Sequence, residues 1–258
     1  MANFKEVTSK DNAVIKQISK LQNSARERRE TGLFVAEGLR VCDDLAENGI
    51  EIVTLVLSKN FYEKQSKAIE KYTKKAREVL LVSDGVFSKI ADTKTPQGIL
   101  AVGKIPLKEV KEINKNGRYI ALENLADPSN LGAIARTAEA IGIDGIIVSS
   151  EGCDPYSPKV VRASMGTVLR MPIFVADDFI SILRNSGLKL YACVVSGGED
   201  IRSVDFTDGS VVIIGNEANG LTEQTKSLSE NITIPMSGFT ESLNAAAAAA
   251  IAMWELIR

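Results

Sequence analysis

The chain has 258 residues and a mass of 27.8 kDa; 45% of its residues are hydrophobic, 25% are charged, and its formal net charge is −2. This composition excludes a disordered or fibrous chain, and the length fits one large domain or two small ones. Because the sequence contains no histidine, it also excludes a Ser-His-Asp triad, a Cys-His pair and a His-ligated zinc site.

Cysteine usage and hydropathy indicate a cellular compartment. Cys42, Cys153 and Cys193 are far apart and follow no metal-binding spacing, which is typical of reduced thiols in the cytoplasm. The N-terminal stretch lacks the apolar core of a secretory signal. The longest apolar run, 245–254, is about half of the roughly 20 residues that cross a bilayer. We expect a soluble, cytoplasmic protein with no metal and no membrane partner.

The first half of the sequence predicts a small domain in which helices and strands alternate. Asp11 is the expected N-cap of a first helix, which has an apolar face and runs out in the charged stretch 26–30. In chain order, the further predicted elements are a strand at 33–35, a helix through 39–45 that stops at 48–49, a strand at 52–57, a lysine-rich helix at about 61–77, a strand at 79–82 and a strand at 98–102. The polar segment 105–117 is the expected linker between domains over 1–104 and 118–258.

The charges are distributed unevenly between the two halves of the chain. Residues 1–116 contain 21 Lys and Arg against 16 Asp and Glu, a net charge of +5, whereas residues 117–258 have a net charge of −7. A basic half joined to an acidic half suggests that one part contacts a polyanion such as a nucleic acid. Lysine-rich helices that are merely well solvated would give the same imbalance, so charge alone leaves both interpretations open.

The second half predicts a parallel sheet with helices on both faces. Continuous apolar runs mark strands at 119–122, 145–148, 188–195, 211–214 and 232–234, and helical patterns separate most of them, at 131–141, 179–183 and 243–257. In such sheets the functional residues lie in the loops after the carboxyl ends of the strands. The sequence has neither the G-x-G-x-x-G dinucleotide fingerprint nor a phosphate-binding P-loop.

The first unusual loop leads from a strand into a helix. Asp127 is the expected N-cap and Pro128 fits the first helical turn. Gly132, so near the helix start, costs stability, which a ligand or another backbone in close approach would justify. Arg136 lies on the same helix, among Ala and Ile. Taken alone, an arginine at the surface, or one paired with Glu139 or Glu123, is the simpler interpretation.

The second loop follows an apolar strand and contains two glycines, Gly215 and Gly220, with Glu217 between them. Tight backbone turns fit a ligand the size of adenosine, and a carboxylate binds a polar or cationic group. An ordinary loop that ends at Thr222, as the N-cap of the next helix, fits the pattern as well.

The third loop runs from Ile234 to Asn244 and precedes an alanine-rich helix, of which Thr240 or Ser242 is the expected N-cap. The free N–H groups at such a helix start suit a polar ligand, and the alanines allow another backbone to pack closely. A strong helix former explains the alanines equally, although not the Pro-Met-Ser-Gly loop before them.

Taken in order, these loops resemble the three signature motifs of the SpoU (TrmH-like) RNA 2′-O-ribose methyltransferases, members of the SPOUT class. The matching residues are Asn130-x-Gly132-x-x-x-Arg136-Thr137-Ala138, Gly215-x-Glu217-x-x-Gly220-Leu221, and Ile234-Pro235-Met236 with Ser242-Leu243-Asn244. Residues 161–166 resemble the region between the first two motifs. Residues 34–38 resemble the substrate-binding domain that often precedes these enzymes, which is similar to ribosomal proteins that bind kinked RNA. The chain departs from the family after Asn244, where Ala245-Ala246 replaces the usual Val-Ser.

The resemblance implies an α/β fold of two domains, a small α/β RNA-binding domain and a SPOUT-type parallel-sheet methyltransferase domain with a C-terminal trefoil knot. It implies a homodimer formed through the catalytic domain, S-adenosyl-L-methionine as cofactor, and methylation of a ribose 2′-hydroxyl of RNA. Ribosomal RNA is the preferred substrate because of the added domain, and transfer RNA is the alternative. A catalytically inactive RNA-binding member of the family and a different nucleotide-binding α/β enzyme are the competing hypotheses.

The resemblance also implies the roles of individual residues. The expected cofactor-binding residues are Gly215, Ile234, Met236, Leu243 and Asn244, and the expected reactive centre is Asn130, Arg136, Glu217, Ser242 and Asn244. A guanidinium is a poor general base, so we favour Arg136 as a group that binds the target phosphate or stabilises the developing alkoxide. The candidate phosphate contacts in the basic half are Arg26, Arg28, Arg29 and Arg40, with Lys64, Lys67, Lys71, Lys74 and Lys75 of the lysine-rich helix.

Overall fold

The structure is a computed structural model that describes residues 4–65, 69–106, 108–238 and 240–258. Its internal contacts divide the chain into two units. The first unit comprises Met1–Pro106 and Tyr156–Arg170, and the second comprises Leu107–Pro155 and Met171–Arg258. The chain therefore leaves the second unit at Tyr156, packs within the first, and returns at Met171. No pattern in the sequence indicated this excursion.

Helices and strands alternate through both units. The helices are α1 (Ala13–Asn23), α2 (Ala25–Thr31), α3 (Leu39–Glu47), α4 (Lys59–Gln65), α5 (Glu70–Thr73), α6 (Asp84–Ile90), α7 (Pro128–Ile141), α8 (Pro158–Ala163), α9 (Phe179–Asn185), α10 (Glu223–Leu228) and α11 (Ala245–Ile257). The strands are β1 (Phe4–Val7), β2 (Leu33–Glu37), β3 (Ile52–Ser58), β4 (Ala76–Val82), β5 (Ile99–Lys104), β6 (Arg118–Leu122), β7 (Gly145–Ser149), β8 (Ile173–Ala176), β9 (Lys189–Cys193), β10 (Glu199–Asp200), β11 (Ser210–Ile214) and β12 (Glu230–Thr233). In the part of the chain that the structure describes, no helix is both long and apolar enough to cross a membrane.

The first unit is built on a five-stranded sheet with the order β1-β4-β3-β5-β2. Strand β5 is antiparallel to both of its neighbours, and the other pairs are parallel. The apolar face of α1, with Ile15, Ile18 and Leu21, is buried in a core that includes residues of β2, β3, β4 and α6. Helix α8 of the returning segment packs against β2.

Three predicted features of the first unit are wrong. Asn12, not Asp11, caps α1, because its side chain accepts from the Val14 N–H at 2.9 Å. The first helix does not reach the charged stretch 26–30, because α1 ends at Asn23 and 26–30 form most of a separate helix, α2. Of the predicted lysine-rich helix at 61–77, residues 61–65 lie in α4 and 70–73 in α5, residues 66–68 lie outside the described residues, and 76–77 belong to β4. Strand β4 confirms the predicted strand at 79–82 but begins earlier, at Ala76. Pairing of Ala76 with Ile52 of β3 places residues 76–77 in the sheet and not in a helix.

The second unit confirms the predicted parallel sheet. Its seven strands have the order β10-β12-β9-β11-β6-β7-β8, and every pair is parallel. Strands β8 and β10 were not predicted; β10 is only two residues long. Helices α7 and α11 pack against each other, whereas Phe179 and Leu183 of α9 join a core with residues from β6, β7, β8, β9 and β11. The trefoil knot implied by the resemblance stays a prediction.

Candidate active site

The sheet of the second unit brings the first two predicted loops together. Strands β6 and β11 are parallel neighbours, with Leu122 paired to Ile214 at their carboxyl ends. The pairing continues one step further, because the Glu123 N–H donates to the Ile214 carbonyl at 2.9 Å. The loops that leave these two strands therefore start side by side, as expected for a ligand site at the carboxyl edge of a parallel sheet.

Glu217 of the second loop holds the first loop in place. Its carboxylate accepts hydrogen bonds from the Ala126 N–H at 3.0 Å, the Asp127 N–H at 3.1 Å and the Asn130 side-chain amide at 2.9 Å. Partial burial raises the pKa of Glu217, but the hydrogen bonds outweigh it and hold the pKa below its usual value. Glu217 is therefore a carboxylate at neutral pH.

Asn130 connects the second loop to the third. Its Nδ2 donates to Glu217, and its Oδ1 accepts from Nδ2 of Asn244 at 3.0 Å. Both ends of the buried Asn130 amide are thus used, which fixes its orientation. The chain of contacts from Glu217 through Asn130 to Asn244 joins one residue from each predicted motif.

The N-cap of the alanine-rich helix differs from the prediction. Asn244 caps α11, because its Oδ1 accepts from the backbone N–H groups of Ala246 at 2.9 Å and Ala247 at 3.3 Å. The expectation that Thr240 or Ser242 is the cap is therefore wrong; Phe239, in the same loop, lies outside the described residues. Asn244 combines two tasks, because it starts the helix and fixes Asn130.

A cavity of about 480 Å³ lies beside this cluster. All residues predicted to bind the cofactor line it, together with Glu217 and Ser242: Gly215, Ile234, Met236, Leu243 and Asn244. Further walls come from residues after β9, where Val195 is 54% exposed. The cavity thus combines apolar side chains, a carboxylate and the polar backbone of a tight loop, a mixture typical of small-molecule sites.

The loop at Gly215 has no room for a side chain. A Cβ atom there would lie 2.3 Å from the carbonyl carbon of Gly220. The loop closes on itself, because Asn216 and Gly220 exchange backbone hydrogen bonds of 3.1 and 2.9 Å. Gly220 has a φ of +67°, in the left-handed region that favours glycine. The two glycines singled out in the sequence are therefore both required by the turn.

Arg136 lies apart from the cluster. It is exposed on α7, and no hydrogen bond or ion pair joins it to any residue in the described ranges. Among these residues, those that line the cavity do not include it. Within one chain, Arg136 therefore pairs with no neighbouring glutamate and contacts none of the other catalytic candidates among the described residues.

Sequence reasoning missed Glu123 as a functional position. Its side chain is 4% exposed, and its carboxylate accepts from the Thr222 N–H at 2.9 Å, the Thr222 hydroxyl at 2.7 Å and the Thr225 hydroxyl at 2.7 Å. These bonds fix the exit of the second loop, where Thr222 caps α10 as predicted. In the sequence, a single acidic residue after a strand gives no such signal.

The candidate phosphate contacts of the basic half differ in their exposure to solvent. Arg28 is 4% exposed and donates to the carbonyl groups of Leu21 and Gln22 at the end of α1. This contact stabilises the fold and does not fit a phosphate site. Arg26 is exposed and pairs with Glu30, and Arg29 and Arg40 are exposed.

The lysines of the predicted lysine-rich helix also differ. The contacts that the structure gives them are Lys71 with Asp43, Lys74 with Glu70 and Lys75 with the carbonyl of Ala46. Lys67 lies outside the described residues. Lys64 is exposed, and it has no ion pair within the ranges that the structure covers. Lys71 and Lys74 therefore pair with the protein's own acidic groups, and Lys75 donates to a backbone carbonyl.

Comparisons with known proteins match both units. The sequence profile of the SpoU rRNA Methylase family matches residues 117–254, and that of the MRM3-like substrate binding domain matches residues 12–101. The 23S rRNA (guanosine(2553)-2′-O)-methyltransferase RlmP of Bacillus subtilis is 27% identical over 256 residues, which cover 98% of this chain and 99% of that protein. The 23S rRNA (uridine(2479)-2′-O)-methyltransferase of Streptomyces viridochromogenes is 27% identical and covers 98% of this chain and 92% of its own length.

Solved structures with the same architecture exist. The AdoMet-bound rRNA methyltransferase from Sinorhizobium meliloti has a TM-score of 0.85 at 34% identity, covering 98% of this chain and 97% of that one. The SpoU methyltransferase AviRb from Streptomyces viridochromogenes, in complex with AdoMet, has a TM-score of 0.85 at 26% identity, covering 95% of this chain and 97% of its own.

Proposed function

Because the chain belongs to the SpoU rRNA Methylase family, we propose that it transfers a methyl group from S-adenosyl-L-methionine to a ribose 2′-hydroxyl of ribosomal RNA. The observation that carries this proposal is the cavity beside the joined residues Glu217, Asn130 and Asn244. Relatives named as 23S rRNA 2′-O-methyltransferases match this chain over nearly its whole length, which favours ribosomal over transfer RNA.

The residues of the cavity fit S-adenosyl-L-methionine, which supplies an electrophilic methyl group on a cationic sulfur. Ile234 and Leu243 offer apolar surface to an adenine, and the loop from Gly215 offers backbone groups at close range. Glu217 lines the same cavity as a carboxylate of lowered pKa, which complements a positive charge. The fit therefore rests on shape, apolar area and charge together.

Within the reactive centre we assign positioning to the pair of side-chain amides formed by the buried Asn130 and the exposed Asn244. Asn130 and Asn244 hold the three loops in register, so that the cavity is complete before the RNA arrives. The Ser242 hydroxyl lines the cavity and makes no hydrogen bond within the described residues. It is therefore available to the cofactor or to the ribose.

We assign Arg136 to the phosphate of the target nucleotide or to the alkoxide that develops on its ribose. Arg136 and Asn130 lie on the same helix, about 9 Å apart along its axis and on different faces. The assignment therefore includes a homodimer through the catalytic domain, in which Arg136 serves the site of the partner chain. The exposed Ile251 and Trp254 of α11 supply apolar surface for that contact.

We assign the first unit to RNA binding, with Arg26, Arg29, Arg40 and Lys64 as phosphate contacts that position the substrate without reading its sequence. The three free cysteines fit a reducing compartment, and we propose a cytoplasmic location.

The experiment is methyl transfer from labelled S-adenosyl-L-methionine to unmodified ribosomal and transfer RNA, followed by alkaline hydrolysis. The expected product is an alkali-resistant labelled dinucleotide from ribosomal RNA, since a methylated 2′-hydroxyl blocks cleavage. Glu217→Gln is expected to lose most of the activity, and Glu223→Gln, which changes an exposed glutamate of α10, is the matched control. Label released as a mononucleotide would refute ribose methylation, and RNA binding without transfer would favour the inactive RNA-binding hypothesis.

A further inference from the structure

The first unit contains a cavity of about 670 Å³ to which the proposed methyl transfer gives no role. It is lined by the first residue of α3, by residues along α4 and α6, and by 96–98 of the loop 91–98 that leads into β5. Its volume is within the roughly 300–1,000 Å³ typical of small-molecule sites.

The loop that forms one wall is anchored by a buried carboxylate. Glu37, at the end of β2, is 7% exposed, and it accepts from the backbone N–H groups of Asp92 at 2.7 Å and Thr93 at 3.2 Å and from the Thr93 hydroxyl. A buried charge that accepts three hydrogen bonds holds this loop in one conformation. The wall is therefore rigid before any ligand binds.

Gln97 presents donors at this wall in a fixed orientation. Its Oε1 accepts from the Leu39 N–H at 2.8 Å, so the side-chain amide is locked. The two N–H groups on its Nε2 have no partner in the described parts of the chain. Gly98, next in sequence, has a φ of +93°, and a Cβ there would lie 2.6 Å from the Ser58 hydroxyl and 2.7 Å from Cβ of Phe61. The backbone that carries Gln97 is thus closely packed at Gly98.

The remaining lining is partly apolar and partly cationic. Leu39, Phe61 and Pro96 give apolar surface, while Asn60 and Lys64 line the cavity with side chains that make no hydrogen bond or ion pair among the described residues. The exposed Arg40 follows Leu39 directly. Asp84 adds a carboxylate that accepts weakly from the Asn60 N–H at 3.4 Å. A nucleotide with an exposed base edge is recognised by such a set of groups: amide donors, an acceptor, apolar surface and two cations.

We propose that this cavity, the base pocket, binds one unpaired nucleotide of the RNA substrate. Leu39 and Pro96 cover the face of the base, Gln97 and Asn60 bind its edge, and Lys64 and Arg40 bind its phosphates. The inference rests on the proposed function, because it takes the substrate to be RNA. It assigns to the first unit a sequence-reading contact in addition to the phosphate contacts, since amide side chains distinguish base edges whereas cations on phosphates do not.

The test uses the full chain and two matched pairs of variants. Gln97→Glu keeps the acceptor for Leu39 and removes the two donors; its control is Asn12→Asp, the same amide-to-acid change at the N-cap of α1 with its acceptor retained. Asn60→Ala removes an amide without internal contacts, and Asn23→Ala, an exposed residue at the end of α1, is its control.

Filter binding to an unmodified 23S rRNA transcript without cofactor gives the dissociation constant. Both pocket variants are expected to bind about tenfold more weakly than the wild type, with both controls within twofold. Competition with single-stranded oligoribonucleotides of adenine, cytosine or uracil is expected to depend on the base, and Gln97→Glu removes that dependence. If 5′-mononucleotides compete and the oligoribonucleotides do not, at equal base concentration, the cavity is a free-nucleotide site and the proposal is overturned.

Methyl transfer, measured on the same preparations, separates this inference from the proposed function. Unchanged affinity in both pocket variants, together with methyl transfer by the wild type, would overturn the base pocket and leave the proposed function intact. In the opposite case, neither the wild type nor any variant transfers a methyl group to any RNA, but both pocket variants bind RNA about tenfold more weakly than the wild type. That result would support the base pocket and refute the proposed reaction.

Discussion

The buried carboxylate of Glu123 is expected to determine the stability of the second cavity loop. Replacement by leucine keeps a similar volume and leaves one backbone N–H and two hydroxyl groups of Thr222 and Thr225 without their acceptor. An unsatisfied buried donor costs about 1–3 kcal/mol, and the two hydroxyls are able to bond to each other. We therefore expect Glu123→Leu to lower the free energy of unfolding by about 3 kcal/mol.

A glutamine at the same position separates hydrogen bonding from charge. Its Oε1 is able to accept from the Thr222 N–H while its amide group donates to both hydroxyls, so all three partners keep a contact. We expect Glu123→Gln to cost only about 1 kcal/mol, the difference between charged and neutral hydrogen bonds. Glu223→Gln, an exposed change on α10, is the control and is expected to be neutral.

Urea unfolding followed by circular dichroism measures the free energies, and hydrogen exchange of residues 221–228 locates the effect, because the chain has two units. The affinity for S-adenosyl-L-methionine, measured by calorimetry, is expected to fall in the same order, with leucine far below glutamine. If the leucine and glutamine variants differ by less than about 0.5 kcal/mol, the hydrogen bonds of Glu123 do not stabilise the loop and the reasoning is wrong.

Four further outcomes are expected. Gly215→Ala places a Cβ against the neighbouring backbone and is expected to weaken cofactor affinity at least tenfold by calorimetry, whereas Gly85→Ala, with open space around it, leaves affinity unchanged. The pKa of Glu217 is lower in the folded protein than in the unfolded chain, where it is about 4.5. The ionised Glu217 therefore contributes its full stabilisation of the folded state above that pH and loses it as the pH falls through the folded-state pKa. The unfolding free energies of the wild type and Glu217→Gln should converge only in acid. Burial raises the pKa of Cys193 to about 11, so iodoacetamide at pH 7.5 should label it far more slowly in the folded than in the unfolded chain. Trp254 is 60% exposed, and Trp254→Glu should shift sedimentation from dimer to monomer; an unchanged coefficient in a dimeric wild type would contradict the proposed interface.

The sequence predicted those features of the site that depend on residues adjacent in the chain. Asp127 with Pro128 starts α7 and Thr222 starts α10, both as predicted, because capping depends on a few adjacent residues. The continuous apolar runs gave the parallel sheet of the second unit for a similar reason, since strands buried on both faces need apolar side chains throughout.

The sequence was least informative where distant residues decide the structure. Residues 76–77 were expected to end a helix, but they begin strand β4, because Ala76 pairs with Ile52 of β3. The role of Glu123 depends on Thr222 and Thr225, about a hundred residues later. Asn244 displaced Thr240 and Ser242 as N-cap, a choice among three eligible side chains that also depends on its contact with Asn130.

The excursion of 156–170 bears on how such a protein is dissected and how it evolves. The backbone passes between the two units at 106–107, 155–156 and 170–171. A single protease cut in the segment 105–117 therefore detaches most of the first unit but leaves its segment 156–170 covalently attached to the second unit. A gene fragment beginning at 118 would produce a methyltransferase unit carrying an orphaned apolar loop, since Tyr156, Val160, Val161 and Val168 are buried within the first unit. A catalytic unit encoded without the first unit therefore needs both a new start codon and substitutions that make the segment 156–170 polar or bury it elsewhere. This requirement favours the two units being inherited together.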